Sequence, residues 1–183
     1  MKGHFDSDLP STLGTSTTNT RTLKKHKLET YLEIYDSISE LPDSIQNLIN
    51  KAQQARDNAY APYSRFKVGA ALELKSGQII TGNNQENAAF PSGLCAERVA
   101  VFHAGSNYPN EIITSLALTV RSLQKEINKP TPPCGACRQA LAEYEVKQDS
   151  PIAIYFMGET GKVVKAASVR DLLPLVFDSS FLE

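Results

Sequence analysis

The sequence has no apolar run approaching the ~18 residues that a membrane span requires. It also lacks any block of lysine or arginine: 19 basic residues are balanced by 20 acidic ones, for a net charge of −1 at pH 7. A general nucleic-acid binder or a basic membrane-surface protein is therefore not expected. Cysteine is scarce and odd in number, 3 among 183 residues, which does not suit the closed disulfide framework of a small secreted scaffold. The N-terminal stretch lacks the apolar segment of a secretory signal, so a cytoplasmic location is the expectation. What remains is a chain that is 41% hydrophobic, of a length typical of one core-forming domain.

Composition divides the chain unevenly. Residues 11–22 read STLGTSTTNTRT, too polar to offset the entropy of ordering, and residues 1–22 are expected to be a flexible tail. Residues 23–40 form an arm of mixed character. Leu28, Tyr31, Leu32 and Tyr35 follow helical spacing, but Ile34 and Ile38 blur the stripe, so strand and helix both stay open. From Leu41 the signals sharpen. Pro42-Asp43 offers a cap to a helix whose apolar face is Ile45, Leu48, Ile49, Ala52, Ala55 and Ala59, ended by Pro62. Strands are predicted over 66–74, 79–82, 112–120, 152–157 and 163–164, with a hairpin turn at 75–78. Helices are predicted over 95–104, 134–145 and 169–173. This order predicts an α/β fold, a three-layer α/β/α sandwich around a mixed five-stranded sheet.

All three cysteines fall at predicted helix starts, Cys95 in Cys95-Ala96-Glu97-Arg98 and the others in Pro133-Cys134-Gly135-Ala136-Cys137-Arg138. Unpaired N–H groups and the positive end of the helix dipole favour thiolate there. Three thiolates suit a catalytic zinc, which keeps its fourth position for water, better than a structural zinc with four protein ligands. Other readings stay open. Cys134-x-x-Cys137 could be a redox pair, His4 or His26 could complete a structural site (His103, eight residues beyond Cys95 on one helix, cannot share its metal), or the cysteines could be small buried hydrophobes. Glu97, two residues beyond Cys95, could reach a water at the metal without binding the metal itself. Arg98 and Arg138 could offset the negative charge of a tris-thiolate centre.

A longer set of motifs recurs in order. These are Tyr60-Ala61-Pro62-Tyr63-Ser64-Arg65-Phe66, Val68-Gly69-Ala70-Ala71, Asn84-Gln85-Glu86-Asn87-Ala88, Cys95-Ala96-Glu97-Arg98, Pro133-Cys134-Gly135-Ala136-Cys137-Arg138-Gln139 and Leu172-Leu173-Pro174. From about Leu41 onward the chain resembles the small homotetrameric zinc-dependent cytidine deaminases. The resemblance implies one Zn²⁺ per chain on Cys95, Cys134 and Cys137, with Glu97 as the proton shuttle. It implies that Asn84 and Glu86 hydrogen-bond the ribose, that the Ala96 N–H meets the base carbonyl, and that Phe66 and Ala88 contact the nucleoside. Phe177 would line a neighbouring subunit's pocket, and the Pro132 carbonyl could accept from the amino group. Residues 41–183 would be the catalytic domain, acting on cytidine and deoxycytidine in pyrimidine salvage. The rival readings are a deaminase of another small aminopyrimidine and a non-enzymatic zinc or redox module. Nucleic acid and membrane partners are not expected.

Overall fold

The structure, a computed structural model, describes residues 23–182. The tail expected over residues 1–22 lies outside the described residues. Six strands form one sheet: β1 (Leu32–Tyr35), β2 (Phe66–Leu74), β3 (Ile79–Asn83), β4 (Ile113–Ser122), β5 (Ala153–Met157) and β6 (Val163–Ala166). Their spatial order is β1-β6-β5-β4-β2-β3. Only β4 and β5 are parallel, joined by the crossover through α3 (Gly135–Gln148). Helix α1 (Asp43–Asp57) covers one face, and α2 (Ala96–Asn107) and α3 cover the other.

Strand alternation sends each residue set to its own layer. Ala71 and Ala117 meet Leu48, Ile49 and Ala52 of α1. Ala70, Leu72, Leu116 and Leu118 meet Ala96, Ala100, Val101 and Leu141 of the two-helix layer. Two glycines set how closely the helices approach. A Cβ on Gly69 would strike the Ala52 carbonyl and lie 2.5 Å from the Arg56 nitrogen of α1. A Cβ on Gly82 would lie 2.5 Å from the Ala96 carbonyl and 2.7 Å from the Ala100 nitrogen, so this glycine seats the first turn of α2 on β3.

Three expectations are corrected. The sheet has six strands rather than five, because the arm supplies β1. Leu32 pairs with Ala166 and Tyr35 with Val163, Glu33 bonds Lys165, and Lys162 bonds Asp36. Tyr35 and Ile38 pack on the α1 layer, while Leu32 and Ile34 stay substantially exposed, which is why the arm read as ambiguous. The expected helix over 169–173 is a single 3-10 turn, Val169–Asp171, closed by reciprocal Ser168–Asp171 capping. Pro174 disfavours continuing it. Finally, Pro42 itself occupies the N-cap of α1 without a side-chain cap bond, and Asp43 sits inside the first turn.

Gly69→Ala and Gly82→Ala are each expected to destabilise the fold by about 1–3 kcal/mol, because the obstructing atoms are helix backbone and cannot rotate aside. Urea denaturation midpoints measure this; wild-type midpoints in both variants would mean the helices are free to shift outward.

Candidate active site

Two helix N-termini meet near the carboxyl end of β4. Cys95 is the N-cap of α2, Cys134 is the N-cap of α3, and Cys137 follows in the first turn of α3. Their sulfurs all lie within 4.8 Å of one another, with 3.9 Å between Cys95 and Cys134 and 3.5 Å between Cys134 and Cys137. A tetrahedral zinc with Zn–S bonds of about 2.3 Å sets its sulfurs about 3.8 Å apart, so the donor set fits that ion. Cys137 is buried, Cys95 half-buried and Cys134 exposed. The cluster is therefore anchored in the core and open on one side. Among the described residues no other group of His, Cys, Asp or Glu has this arrangement, and His103 lies exposed on α2.

The electrostatics suit a cation. The Cys95 thiol is lowered to about 5, chiefly by a hydrogen bond from Cys137, with Arg98 reinforcing it against burial. Cys137 is pushed up correspondingly, by its bond to Cys95 and by burial. The pair thus holds one thiolate ready, and metal binding would displace the remaining protons. Arg98 points Nη2 at the Cys95 sulfur, 3.7 Å away. Arg138 does not reach the sulfurs; its Nε donates to the Pro133 carbonyl and its Nη1 to the Leu172 carbonyl, both at 2.8 Å. It ties the cysteine loop to the C-terminal segment instead.

Glu97, 3% exposed, lies in the first turn of α2. Burial lifts its carboxyl above the usual carboxylate range, and the neighbouring Cys95 charge adds to the rise. Glu97 and the sulfurs of Cys95 and Cys134 face a cavity of about 790 Å³. Phe66, Val68, Leu118 and Val120 form an apolar part of its wall, Asn84 and Glu86 a polar part, and Thr131 and Pro132 flank Cys134.

Asn84 is already engaged: its Oδ1 accepts from the Val68 N–H at 2.8 Å and its Nδ2 donates to the Phe66 carbonyl at 2.9 Å. It extends the β2–β3 ladder with its side chain, leaving one N–H and one acceptor lone pair unused by these bonds. Glu86 Oε2 accepts from the N–H groups of Tyr63 (2.9 Å) and Ser64 (3.2 Å). Burial would raise its pKa, but these bonds and the Ser64 side chain outweigh it and hold the carboxyl below its usual range. Ala96 is fully buried at the head of α2. Ala88 and Phe177 are exposed and do not line this chain's cavity; Phe177 instead stacks on Phe181, with centroids 5.6 Å apart.

Residue types alone did not single out Tyr63, Phe90 and Leu94, which also line the cavity. Tyr63 and Phe90 meet edge to face at 5.8 Å. Their signal was present as large apolar residues in Pro- and Gly-rich loops. Asn84→Ala removes two bonds to strand backbone and is expected to cost about 1–3 kcal/mol of stability. An unchanged unfolding midpoint would show that the amide does not hold β2.

The family model for the cytidine and deoxycytidylate deaminase zinc-binding region matches residues 42–150. A cytidine deaminase of Halalkalibacterium halodurans is 40% identical over 72% of this chain and 92% of its own length. One from Sporosarcina psychrophila is 37% identical over 75% and 94%. The crystal structure of cytidine deaminase from Burkholderia pseudomallei superposes with a TM-score of 0.62 at 39% identity, covering 72% of this chain and 97% of that one. The matched span carries all three sulfurs and Glu97, and by both sequence and fold the chain belongs to the cytidine and deoxycytidylate deaminase family.

Proposed function

We propose that this chain is a zinc-dependent cytidine deaminase, hydrolysing cytidine and deoxycytidine to uridine and deoxyuridine with release of ammonia. One observation carries the reading: three sulfurs converge on one point, and two of them, Cys95 and Cys134, open with the buried carboxyl of Glu97 onto a single cavity of about 790 Å³, large enough to admit a nucleoside. Cys95, Cys134 and Cys137 would hold the zinc, which would supply Lewis acidity to activate the attacking water. Glu97 takes a proton from the attacking water and delivers it to N3 of the pyrimidine, which makes C4 more electrophilic. It then moves a proton from the new C4 hydroxyl to the departing amino nitrogen, so that the C4–N bond breaks and ammonia leaves. A carboxyl whose burial raises its pKa is suited to carry a proton both ways.

The nucleoside is held by residues that do not change charge. Phe66 packs against it, the Ala96 N–H meets the base carbonyl, and Glu86 with Asn84 binds the ribose, at the 3′-hydroxyl. Glu86 has its Oε2 anchored, which leaves Oε1 to accept from that hydroxyl. Arg98 offsets the charge of the thiolates. The working unit is a homotetramer with shared sites: Phe177, 58% exposed and absent from its own chain's cavity, enters the cavity of another copy, and Ala88 is a further nucleoside contact. Residues 41–183 carry the chemistry and residues 23–40 complete the sheet. No helix among the described residues is long and apolar enough to cross a membrane. The reading places the enzyme in cytoplasmic pyrimidine salvage.

The direct test follows ultraviolet loss of cytidine and release of ammonia, with and without a chelator. One zinc per chain and chelator-sensitive turnover are expected; a zinc-loaded chain inert toward both nucleosides would overturn the reading. Glu97→Gln should keep its zinc and lose roughly a hundred- to ten-thousand-fold in kcat. Retained turnover would remove Glu97 from the proton path. Glu86→Ala should raise KM for cytidine far more than it lowers kcat, and free cytosine should react poorly with the wild type. Equal turnover of cytosine and cytidine would sink the ribose contact.

A further inference from the structure

On the face of the sheet opposite the cavity, β4 and β5 part company. Their pairing ends at Leu118–Phe156, and β5 stops at Met157. Val120, farther along β4, therefore has no strand on its β5 side. Its antiparallel partner Val68 gives its own N–H and C=O to Asn84, toward β3. In that ladder geometry the Val120 carbonyl turns away from β2, into the gap beyond the end of β5.

Arg56, in the last turn of α1 and 3% exposed, fills the gap. Its Nη1 donates to the Val120 carbonyl at 3.1 Å and to the Thr119 hydroxyl at 2.9 Å. The Thr119 hydroxyl in turn donates to the carbonyl of Gly158, the first residue beyond β5, at 2.9 Å. The arrangement is costly. Arg56 Nε has no hydrogen-bond partner, and the Asp57 carboxylate stands 3.9 Å away on a largely exposed side chain. A well-packed apolar side chain would fill the same space at less cost.

Gly158 is also the seat of the segment that follows β4. A Cβ there would strike the Ile127 carbonyl and lie 3.1 Å from that of Lys129, and the Glu159 N–H donates to Ile127 at 2.6 Å. The same segment continues into Thr131, Pro132 and Cys134 on the cavity wall. We infer that Arg56 and Thr119 are positioning residues for the active site. From the far side of the sheet they fix Val120 of the cavity wall and, through Gly158, the segment that carries Thr131, Pro132 and the sulfur of Cys134. This inference rests on the deaminase reading of that site.

The test compares zinc-loaded wild type with Thr119→Val, Thr119→Ser and Arg56→Lys. It measures kcat and KM for cytidine and, separately from activity, the rate at which zinc passes to a chromogenic chelator. Thr119→Val, which keeps the shape and loses the hydroxyl, should raise KM about tenfold, with a smaller change in kcat. It should also release zinc faster, while Thr119→Ser stays at wild-type values. A Thr119→Val enzyme with wild-type KM and zinc release, whatever its melting temperature, would overturn the inference and leave the network merely structural. If Thr119→Val does not accumulate folded, Arg56→Lys carries the test, since the lysine chain is one bond shorter than the path to Nη1 and its ammonium stops short of the Thr119 and Val120 acceptors. Raised KM and faster release support the inference, and wild-type values overturn it. A wild type that neither retains zinc nor deaminates cytidine overturns the deaminase reading and this inference together. An active wild type with indifferent variants overturns only the latter.

Discussion

Three sulfur atoms within 4.8 Å of one another require two helices to begin at the same point in space, and the rest of the molecule is arranged around that demand. Helix α2 starts there because Gly82 lets its first turn rest on the backbone of β3. Helix α3 starts there because it is the crossover between the parallel strands β4 and β5, so its N-terminus follows from the carboxyl end of β4. Open sheets place ligands at such carboxyl ends. The metal-binding geometry is therefore a product of packing distance and chain topology, with the cysteines placed where these already converge.

The site separates its charges by environment. Cys95 is favoured as a thiolate by a neighbouring thiol and by Arg98, while burial raises the pKa of Glu97 two residues on. Glu86, by contrast, is fixed as an anion by two backbone N–H groups of the Tyr63–Ser64 turn. Two carboxyls on one cavity are thus shifted in opposite directions, because burial dominates at Glu97 and hydrogen bonds dominate at Glu86. The first can move a proton, and the second can accept a hydrogen bond without changing its own charge.

Much of this was legible in residue order. The α1 face, the β2–β3 hairpin and the helix starts at Cys95 and Cys134 follow from periodicity, Gly at the turn and the placement of proline. The arm was not legible, since β1 has only one well-packed side chain, Tyr35, among exposed neighbours, and its partner strand lies far away in sequence. The part played by Arg138 was hidden for a different reason. Adjacency to a ligand suggested charge compensation, whereas the guanidinium turns to two backbone carbonyls, one of them in the C-terminal segment. Asn84 likewise read as a ligand-binding amide, yet much of its hydrogen-bonding capacity serves the ladder. Spacing along the chain shows which residues are near, but not which of several acceptors a long or forked side chain will choose.

The pairing of Leu32 with Ala166 joins the two ends of the described chain. During synthesis, then, β1 is the first of the described strands to emerge, and its partner β6 is the last. Until β6 has left the ribosome, Leu32, Ile34 and Tyr35 have no strand to pair with, so this edge closes through a contact of long sequence separation. The order of translation thus makes the arm a late-closing zipper, fastened along β6.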